Sequence, residues 1–168
     1  MAHERFRYPL FAAGLIVCAI APPTAVAGDF APFARGSFAE LRKTHAGRPL
    51  VVHFWSVTCP ACVAELGEWA KIGRDRPNIG IVFVNTDREH ERARVENRLQ
   101  AAGLLQAINF AFADQFVERL YFEVDRYWSG ELPFTALIGA GGATTTVIGA
   151  LDDPQIAAWF EREGKTGR

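Results

Sequence analysis

The hydrophobic positions of this chain fall into two kinds of pattern. Two continuous apolar runs, Leu50 to Trp55 and Ile79 to Val84, are short and rich in β-branched and aromatic residues, as buried strands are. Elsewhere, apolar residues recur at helical spacing among polar ones. That spacing predicts helices from Ser37 towards Gly47, from Pro60 to about Gly73, over Arg88 to Ala102, over Phe116 to Phe122, and from Asp153 onwards.

The C-terminal third has the pattern of a β-hairpin. An apolar run ends at Ile138, glycines between positions 139 and 142 supply a turn, and Thr144 to Ile148 pairs back. Asn109 to Ala113 is predicted as a short extended segment, whereas Gly28 to Arg35 is predicted as a loose lead-in. The order of these elements predicts an α/β fold, with a central mixed sheet and helices on both of its faces.

The N-terminus has the pattern of an export signal. Arg5 and Arg7 precede an apolar stretch from Leu10 to Ala21, and small residues at positions 25 and 27 predict cleavage before Gly28. The apolar stretch is short for a transmembrane helix, although retention as an N-terminal anchor is the alternative. Cys18 lies within this stretch, and we interpret it as an apolar residue that is removed.

The predicted cleavage leaves one domain over residues 28–168. Its 141 residues are enough for a single core, and its net charge is −2 once Arg5, Arg7 and Glu4 are removed. This balance lacks the basic patch that nucleic acid or an anionic membrane surface would require. We expect an exported, periplasmic monomer that does not bind nucleic acid.

The chemistry of the chain centres on the motif Cys59-Pro60-Ala61-Cys62, which follows the first apolar run and begins a helical stretch. A helix N-terminus lowers the pKa of a thiol, because its free N–H groups and the helix dipole favour an anion. Pro60 suits the first helical turn, where a missing N–H costs little. A zinc site would need four ligands, and residues 28–168 hold no second cysteine pair.

The two cysteines of residues 28–168 are therefore predicted to form a redox-active pair. Cys59 is the expected nucleophile, and Cys62, one turn further into the helix, is the expected resolving thiol. A single closely spaced pair contributes little loop entropy, so exchange is favoured over a stabilising role. An inert disulfide is the alternative.

The segment Val51 to Leu66, V-V-H-F-W-S-V-T-C-P-A-C-V-A-E-L, resembles the active-site segment of thioredoxin-fold proteins. It is most similar to the exported thiol–disulfide reductases grouped around TlpA, ResA and the cytochrome c maturation thioredoxins. The resemblance extends to the strand end V-F-V-N-T-D at Val82 to Asp87, to the charged helix after it, and to L-P-F-T-A-L-I at Leu132 to Ile138.

The resemblance implies roles for two further residues. Pro133 matches the family's cis proline, which faces the dithiol and leaves the backbone of Leu132 free to pair with an extended substrate. Glu65 matches a family glutamate three positions after the second cysteine, where it can exchange a proton with Cys62. The plain alternative for Glu65 is a solvated helix glutamate.

The chain departs from the family pattern at two positions. Thr58 stands where a tryptophan usually precedes the first cysteine, and His53 stands where thioredoxins carry a buried aspartate and family members often an asparagine. Both departures bear on the redox potential rather than on the fold. His53 is interpreted either as a satisfied core residue or as a proton-transfer group beneath the dithiol.

A client-facing surface is expected to include Pro60, Leu132 and two tryptophans. Trp55 would shield the sulfurs, and Trp128, with Tyr127, would form an apolar rim for a protein substrate. Core packing is the equal alternative for both tryptophans.

These residues together predict a thiol–disulfide oxidoreductase of the reducing type, without cofactor or metal. The resemblance implies a membrane thiol as electron donor, and apocytochrome c or a copper-site assembly protein as client. The uncharged Pro-Ala dipeptide also favours reduction. The alternatives are an oxidase that donates disulfides, a Cu(I) chaperone that uses both thiols as soft ligands, and a binding module with an idle pair.

Overall fold

The computed structural model describes residues 30–166. The strands are β1 (Ala31–Phe33), β2 (Leu50–Trp55), β3 (Gly80–Asn85), β4 (Ile108–Phe112), β5 (Phe134–Ile138) and β6 (Thr144–Ile148). The helices are α1 (Ser37–Thr44), α2 (Pro60–Asp75), α3 (Arg92–Ala102), α4 (Val117–Val124) and α5 (Pro154–Thr166), with a 3-10 turn at Glu89–Glu91 before α3. The predicted signal segment and its cleavage site lie outside the described residues.

The six strands form one mixed sheet in the order β1-β4-β3-β2-β5-β6. The first four of these run parallel, and β5 and β6 are antiparallel additions. Helices α2, α3 and α5 contribute buried residues to the core on one face, and α1 and α4 contribute to the core on the other. The predicted α/β architecture, with a central mixed sheet flanked by helices on both faces, is confirmed.

The position of strand β2 between two cores explains why its sequence is apolar without interruption. Val51 and Trp55 enter the core beneath α2, whereas Val52 and Phe54 enter the core on the opposite face. A strand buried on both faces needs apolar side chains at odd and even positions alike, so apolar and polar residues do not alternate along it. We call the first of these cores the dithiol-side core and the second the aromatic core.

The prediction of a loose lead-in at residues 28–35 is wrong for its central part. Ala31–Phe33 forms the edge strand β1, which pairs in parallel with β4 and buries Phe33 in the aromatic core. Three residues that include a proline have no readable periodicity, and an edge position is where a strand tolerates proline. Pairing with a distant strand, rather than local pattern, creates this element.

Sheet topology brings the two predicted functional segments to one edge. Strand β2 ends at Trp55 and passes through a short loop into α2, which carries the dithiol. Because β5 runs antiparallel to β2, with Phe134 opposite Phe54, the start of β5 lies beside the end of β2. Within residues 30–166, every helix is too short or too polar to cross a bilayer.

Candidate redox-active site

Cys59 occupies the N-cap of α2. Its backbone is extended, with φ −98° and ψ 104°, and its Sγ accepts a hydrogen bond from the Cys62 N–H at 3.2 Å. Pro60 is the first helical residue, where its missing N–H leaves no partner unsatisfied. The N-terminal turn of α2 therefore presents its N–H groups towards the first sulfur.

Cys59 and Cys62 form a disulfide, with their Cα atoms 5.3 Å apart. Cys62 is 0% exposed and belongs to the dithiol-side core, whereas Cys59 is half-buried at its edge. Only the first sulfur lies near the surface. The two sulfurs therefore differ in access, because Cys59 can be reached from the surface and Cys62 lies within the core.

A carboxylate that the sequence did not single out fixes the loop before Cys59. Asp87, just beyond β3, accepts hydrogen bonds from the Ser56 hydroxyl at 2.6 Å, the Val57 N–H at 2.8 Å and the Asn85 side-chain amide at 2.7 Å. The Ser56 carbonyl in turn accepts from the Cys59 N–H at 3.2 Å. In the sequence, Asp87 was visible only as an aspartate just after the second apolar run.

Glu65 is buried rather than solvated. It is 9% exposed, and its carboxylate accepts hydrogen bonds from Trp69 Nε1 at 3.2 Å and from the Leu151 N–H at 2.7 Å. Burial raises the pKa of Glu65, the two hydrogen bonds oppose that rise, and the charge of Asp152 adds to it. The solvated-glutamate alternative is thereby excluded.

His53 lies fully buried beneath α2, in contact with Glu65. Its Nε2 is 3.3 Å from Glu65 Oε1, and its Nδ1 is 3.0 Å from Thr135 Oγ1. The ring packs against Trp69, with 4.9 Å between ring centroids. Burial lowers the pKa of His53 to about 3, so the imidazole is neutral near pH 7. The contacts of Trp69 and Leu151 with this pair could not be read from the sequence. Thr135 stands out in the sequence only as the polar residue in an otherwise apolar strand.

Pro133 lies buried at the start of β5, and the Leu132–Pro133 peptide bond is cis. Its carbonyl accepts a hydrogen bond from the Gly149 N–H at 3.0 Å. Leu132 is half-buried and packs against both cores. Within residues 30–166, the N–H and C=O of Leu132 make no hydrogen bond.

The two tryptophans predicted to meet a client are both buried. Trp55 lies in the dithiol-side core, which also contains Cys62. Trp128 stacks on Phe134 at 4.1 Å in the aromatic core. The prediction that Trp128 forms a surface rim is therefore wrong, because its indole packs against apolar side chains inside the protein. Tyr127, in contrast, is 81% exposed. Pro60 is exposed beside Cys59.

An open groove of about 560 Å³ runs between α2 and the loop after β6. Glu65, which is 9% exposed, forms part of its wall. The other lining residues are Ala61, Ala64, Glu68, Ala150, Leu151 and Asp152. Across residues 30–166, three or more His, Cys, Asp or Glu side chains nowhere converge as a metal site would require.

Three solved structures illustrate what this chain is similar to in fold. The chain resembles a secreted Mycobacterium tuberculosis disulfide oxidoreductase homologous to E. coli DsbE, with 20% identity, a TM-score of 0.57, and coverage of 71% of this chain and 85% of that one. A putative thioredoxin from Neisseria meningitidis is similar at 22% identity and TM-score 0.57, covering 74% and 80%. A thioredoxin-family thiol:disulfide interchange protein from Chlorobium tepidum is similar at 19% identity and TM-score 0.56, covering 74% and 82%.

No family model matches the sequence, and no curated protein matches it. The structural likenesses define the class of fold: this chain has the thioredoxin fold. That part of the resemblance seen in the sequence is confirmed.

Proposed function

We propose that this protein is a thiol–disulfide oxidoreductase that reduces disulfides in client proteins. The observation that carries the proposal is the Cys59–Cys62 disulfide at the N-terminus of α2, with one sulfur near the surface and one buried. A thiolate at such a position is stabilised by the helix end and remains accessible. Once Cys59 has captured a client, the thiol of the buried Cys62 attacks the mixed disulfide.

The proposed reaction transfers two electrons to the client. In the reduced protein, the Cys59 thiolate attacks one sulfur of a client disulfide, and the other client sulfur leaves as a thiolate. Cys62 then loses its proton to Glu65 and attacks Cys59 Sγ, which releases the second client thiol and leaves the Cys59–Cys62 disulfide. A dithiol donor must then reduce that disulfide in turn.

The edge beside Cys59 suits an extended client segment. Within residues 30–166, the N–H and C=O of Leu132 are unpaired and lie just before β5, whose first residue is opposite Phe54 near the end of β2. Pro60 is exposed next to Cys59. Main-chain pairing to such groups binds peptides with little dependence on sequence. We assign Leu132, Pro133 and Pro60 to this contact.

The proposed setting follows from the sequence. Export through the N-terminal signal would place a monomeric protein in the periplasm, where a membrane thiol donor keeps it reduced. The resemblance to cytochrome c maturation thioredoxins supports apocytochrome c, or a copper-site assembly protein, as client. N-terminal sequencing of the secreted form should find Gly28 as the first residue.

Reduction of insulin disulfides tests the activity, with variants Cys59→Ser and Cys62→Ser. The first should be inactive, and the second should accumulate a mixed disulfide with its client. A Cys59→Ser protein with full activity would contradict the proposal. A reduction potential of about −250 mV or lower fits a reductase, whereas one of about −120 mV would identify a disulfide-donating oxidase.

A further inference from the structure

Three polar side chains from different elements form a buried chain beneath the dithiol helix. Thr135 on β5 contacts His53 Nδ1 at 3.0 Å. His53 Nε2 lies 3.3 Å from Glu65 Oε1 on α2 but, within residues 30–166, makes no hydrogen bond in the state shown. Thr135 and His53 are direct neighbours across the antiparallel pair of β5 and β2. His53 and Thr135 are both 0% exposed, so neither nitrogen of the ring can turn to water.

The imidazole has one N–H for two partners. Burial lowers the pKa of His53 to about 3, so near neutral pH it carries one donor nitrogen and one acceptor nitrogen. The tautomer of His53 therefore determines whether Nε2 presents a donor or an acceptor to Glu65. The Thr135 hydroxyl fits either case, because it can both donate and accept.

The other contacts of Glu65 cannot change their role in this way. Trp69 Nε1–H and the Leu151 N–H are donors only, and both point at the carboxyl group. These two donors satisfy the carboxylate of an ionised Glu65. A protonated Glu65, in contrast, must donate a hydrogen bond from its own O–H to an acceptor. Among the polar contacts of Glu65 within residues 30–166, His53 Nε2 is the atom that can accept it.

We propose that His53 is a positioning residue that matches both protonation states of Glu65 by shifting its single N–H proton between Nδ1 and Nε2. The inference rests on the proposed function, since it describes how Glu65 takes and releases the Cys62 proton.

One proton separates the two states, and no electron moves. With Glu65 protonated, its O–H donates to His53 Nε2, and His53 Nδ1–H donates to Thr135 Oγ1. With Glu65 ionised, His53 Nε2–H donates to Oε1, and the Thr135 hydroxyl donates to Nδ1. The proton that enters comes from the Cys62 thiol, and the proton that leaves goes to water along the groove that Glu65 lines.

The charged groups around Glu65 set the pH at which the switch occurs. Asp152, in the loop after β6, raises the pKa of Glu65 by its charge, in addition to the effect of burial. Glu68 on α2 lines the same groove and pairs with Lys71 at 3.3 Å. Cys62, one turn earlier on α2, is the remaining titratable neighbour in the reduced protein. The faces of the His53 ring meet Trp69 and Phe83, which do not carry charge.

Two-bond ¹H–¹⁵N spectra of the oxidised protein, labelled at histidine, test the proposal directly. The proton of His53 should move from Nδ1 at low pH to Nε2 at high pH, with the same midpoint as the ¹³C signal of the Glu65 carboxyl. In Glu65→Gln the tautomer should not change with pH, whereas Glu40→Gln, an exposed change on α1, should behave as the parent does. A tautomer that stays constant through the Glu65 titration, or an imidazolium signal at that midpoint, would overturn the proposal.

Kinetics of mixed-disulfide resolution supply the second readout. His53→Leu offers Glu65 neither donor nor acceptor, so resolution by Cys62 should slow by about 10- to 100-fold. His53→Gln, whose amide can present either group, should recover most of that loss. Equal rates in the Leu and Gln variants would contradict the role of His53. The spectra need no client, so an inactive protein with a switching tautomer would refute the proposed function and leave this inference standing.

Discussion

The two cores on either side of the sheet differ in kind, although they share the same strands. The aromatic core is built from apolar side chains, with Phe33, Phe54, Trp128 and Phe134 in ring contact. The dithiol-side core also contains buried polar side chains. By strand register, every buried polar residue of the described sheet faces that side: His53, Asn85, Asn109 and Thr135.

This division shows how one fold separates stability from chemistry. Successive residues of a strand point to opposite faces, so His53 can lie beneath the dithiol while Val52 and Phe54 fill an apolar layer. A buried polar group is costly unless it is paired, and an apolar core on the other face supplies the stability that offsets this cost. The comparison predicts that changes on the two faces affect different measurements.

The largest expected effect is the acid sensitivity of the dithiol-side core. The unfolded chain protonates His53 near pH 6.5, but the folded protein does so only near pH 3, so stability is lost as pH falls through that window. The loss amounts to about 4 kcal/mol between pH 7 and pH 3. Denaturant unfolding across this range should show a flatter profile for His53→Gln, whereas the exposed His90→Gln should follow the parent.

Glu65 acts in the opposite direction, because its pKa is raised in the folded state. Its contribution to stability is fully present below about pH 4.5 and decreases as pH rises through the folded pKa. Both histidine variants retain this contribution, so it cancels in the comparison. A parent protein and a His53→Gln protein with parallel pH profiles would contradict the buried, neutral state of His53.

On the opposite face, Phe54→Ala should cost about 3–5 kcal/mol of unfolding free energy. Phe54 is fully buried and contacts the rings of Phe33, Trp128 and Phe134 at 4.8–5.8 Å. The reduction potential should not change, because the dithiol and the polar side chains beneath it belong to the other core. A shift in the equilibrium with glutathione, measured where the variant is folded, would break the separation between the two faces.

The third prediction concerns the exchange rate. Glu65→Gln cannot take the Cys62 proton, so resolution of a mixed disulfide should slow by about 100-fold. In the parent, the same rate should rise with pH through the folded pKa of Glu65, which burial places above its ordinary value. Stopped-flow measurement from pH 4 to pH 8 checks both points, with Glu40→Gln as the matched control. A parent-like profile in Glu65→Gln would remove Glu65 from the mechanism.

The sequence was sufficient for the parts of this molecule that depend on local pattern. The apolar runs predicted β2 and most of β3, and Cys59 and Pro60 predicted the start of α2. The edge strand β1 was not predictable, because its three residues become a strand only through pairing with β4.

The surroundings of the predicted site residues depended on contacts between distant segments. His53 and Glu65 were each identified, but their contact arises from packing α2 on β2. The Trp128 side chain was misassigned because a large aromatic residue in a polar loop has the same local pattern whether it turns outwards or inwards. Asp87 was identified only as part of a strand end, since its three partners come from other segments or depend on the turn after β3.

The smallest expected effect belongs to Asp87, which lies at the rim of the dithiol-side core. Asp87→Asn replaces one accepting oxygen by a donor, so it cannot accept from both the Ser56 hydroxyl and the Val57 N–H. The loss of one such bond should cost about 1–3 kcal/mol. The loop also positions the Cys59 N–H on the Ser56 carbonyl, so alkylation of Cys59 should change in rate as well.

Asp114→Asn is the matched control for this change. Its carboxylate accepts a hydrogen bond from the Phe116 N–H in an exposed turn after β4, and asparagine can accept that single bond equally well. Thermal unfolding and iodoacetamide kinetics should therefore separate the two variants. If Asp87→Asn lowered stability but left the alkylation of Cys59 unchanged, Asp87 would support the sheet edge without positioning the nucleophile. The polar groups of the dithiol-side core would then affect reactivity through the inner sulfur alone.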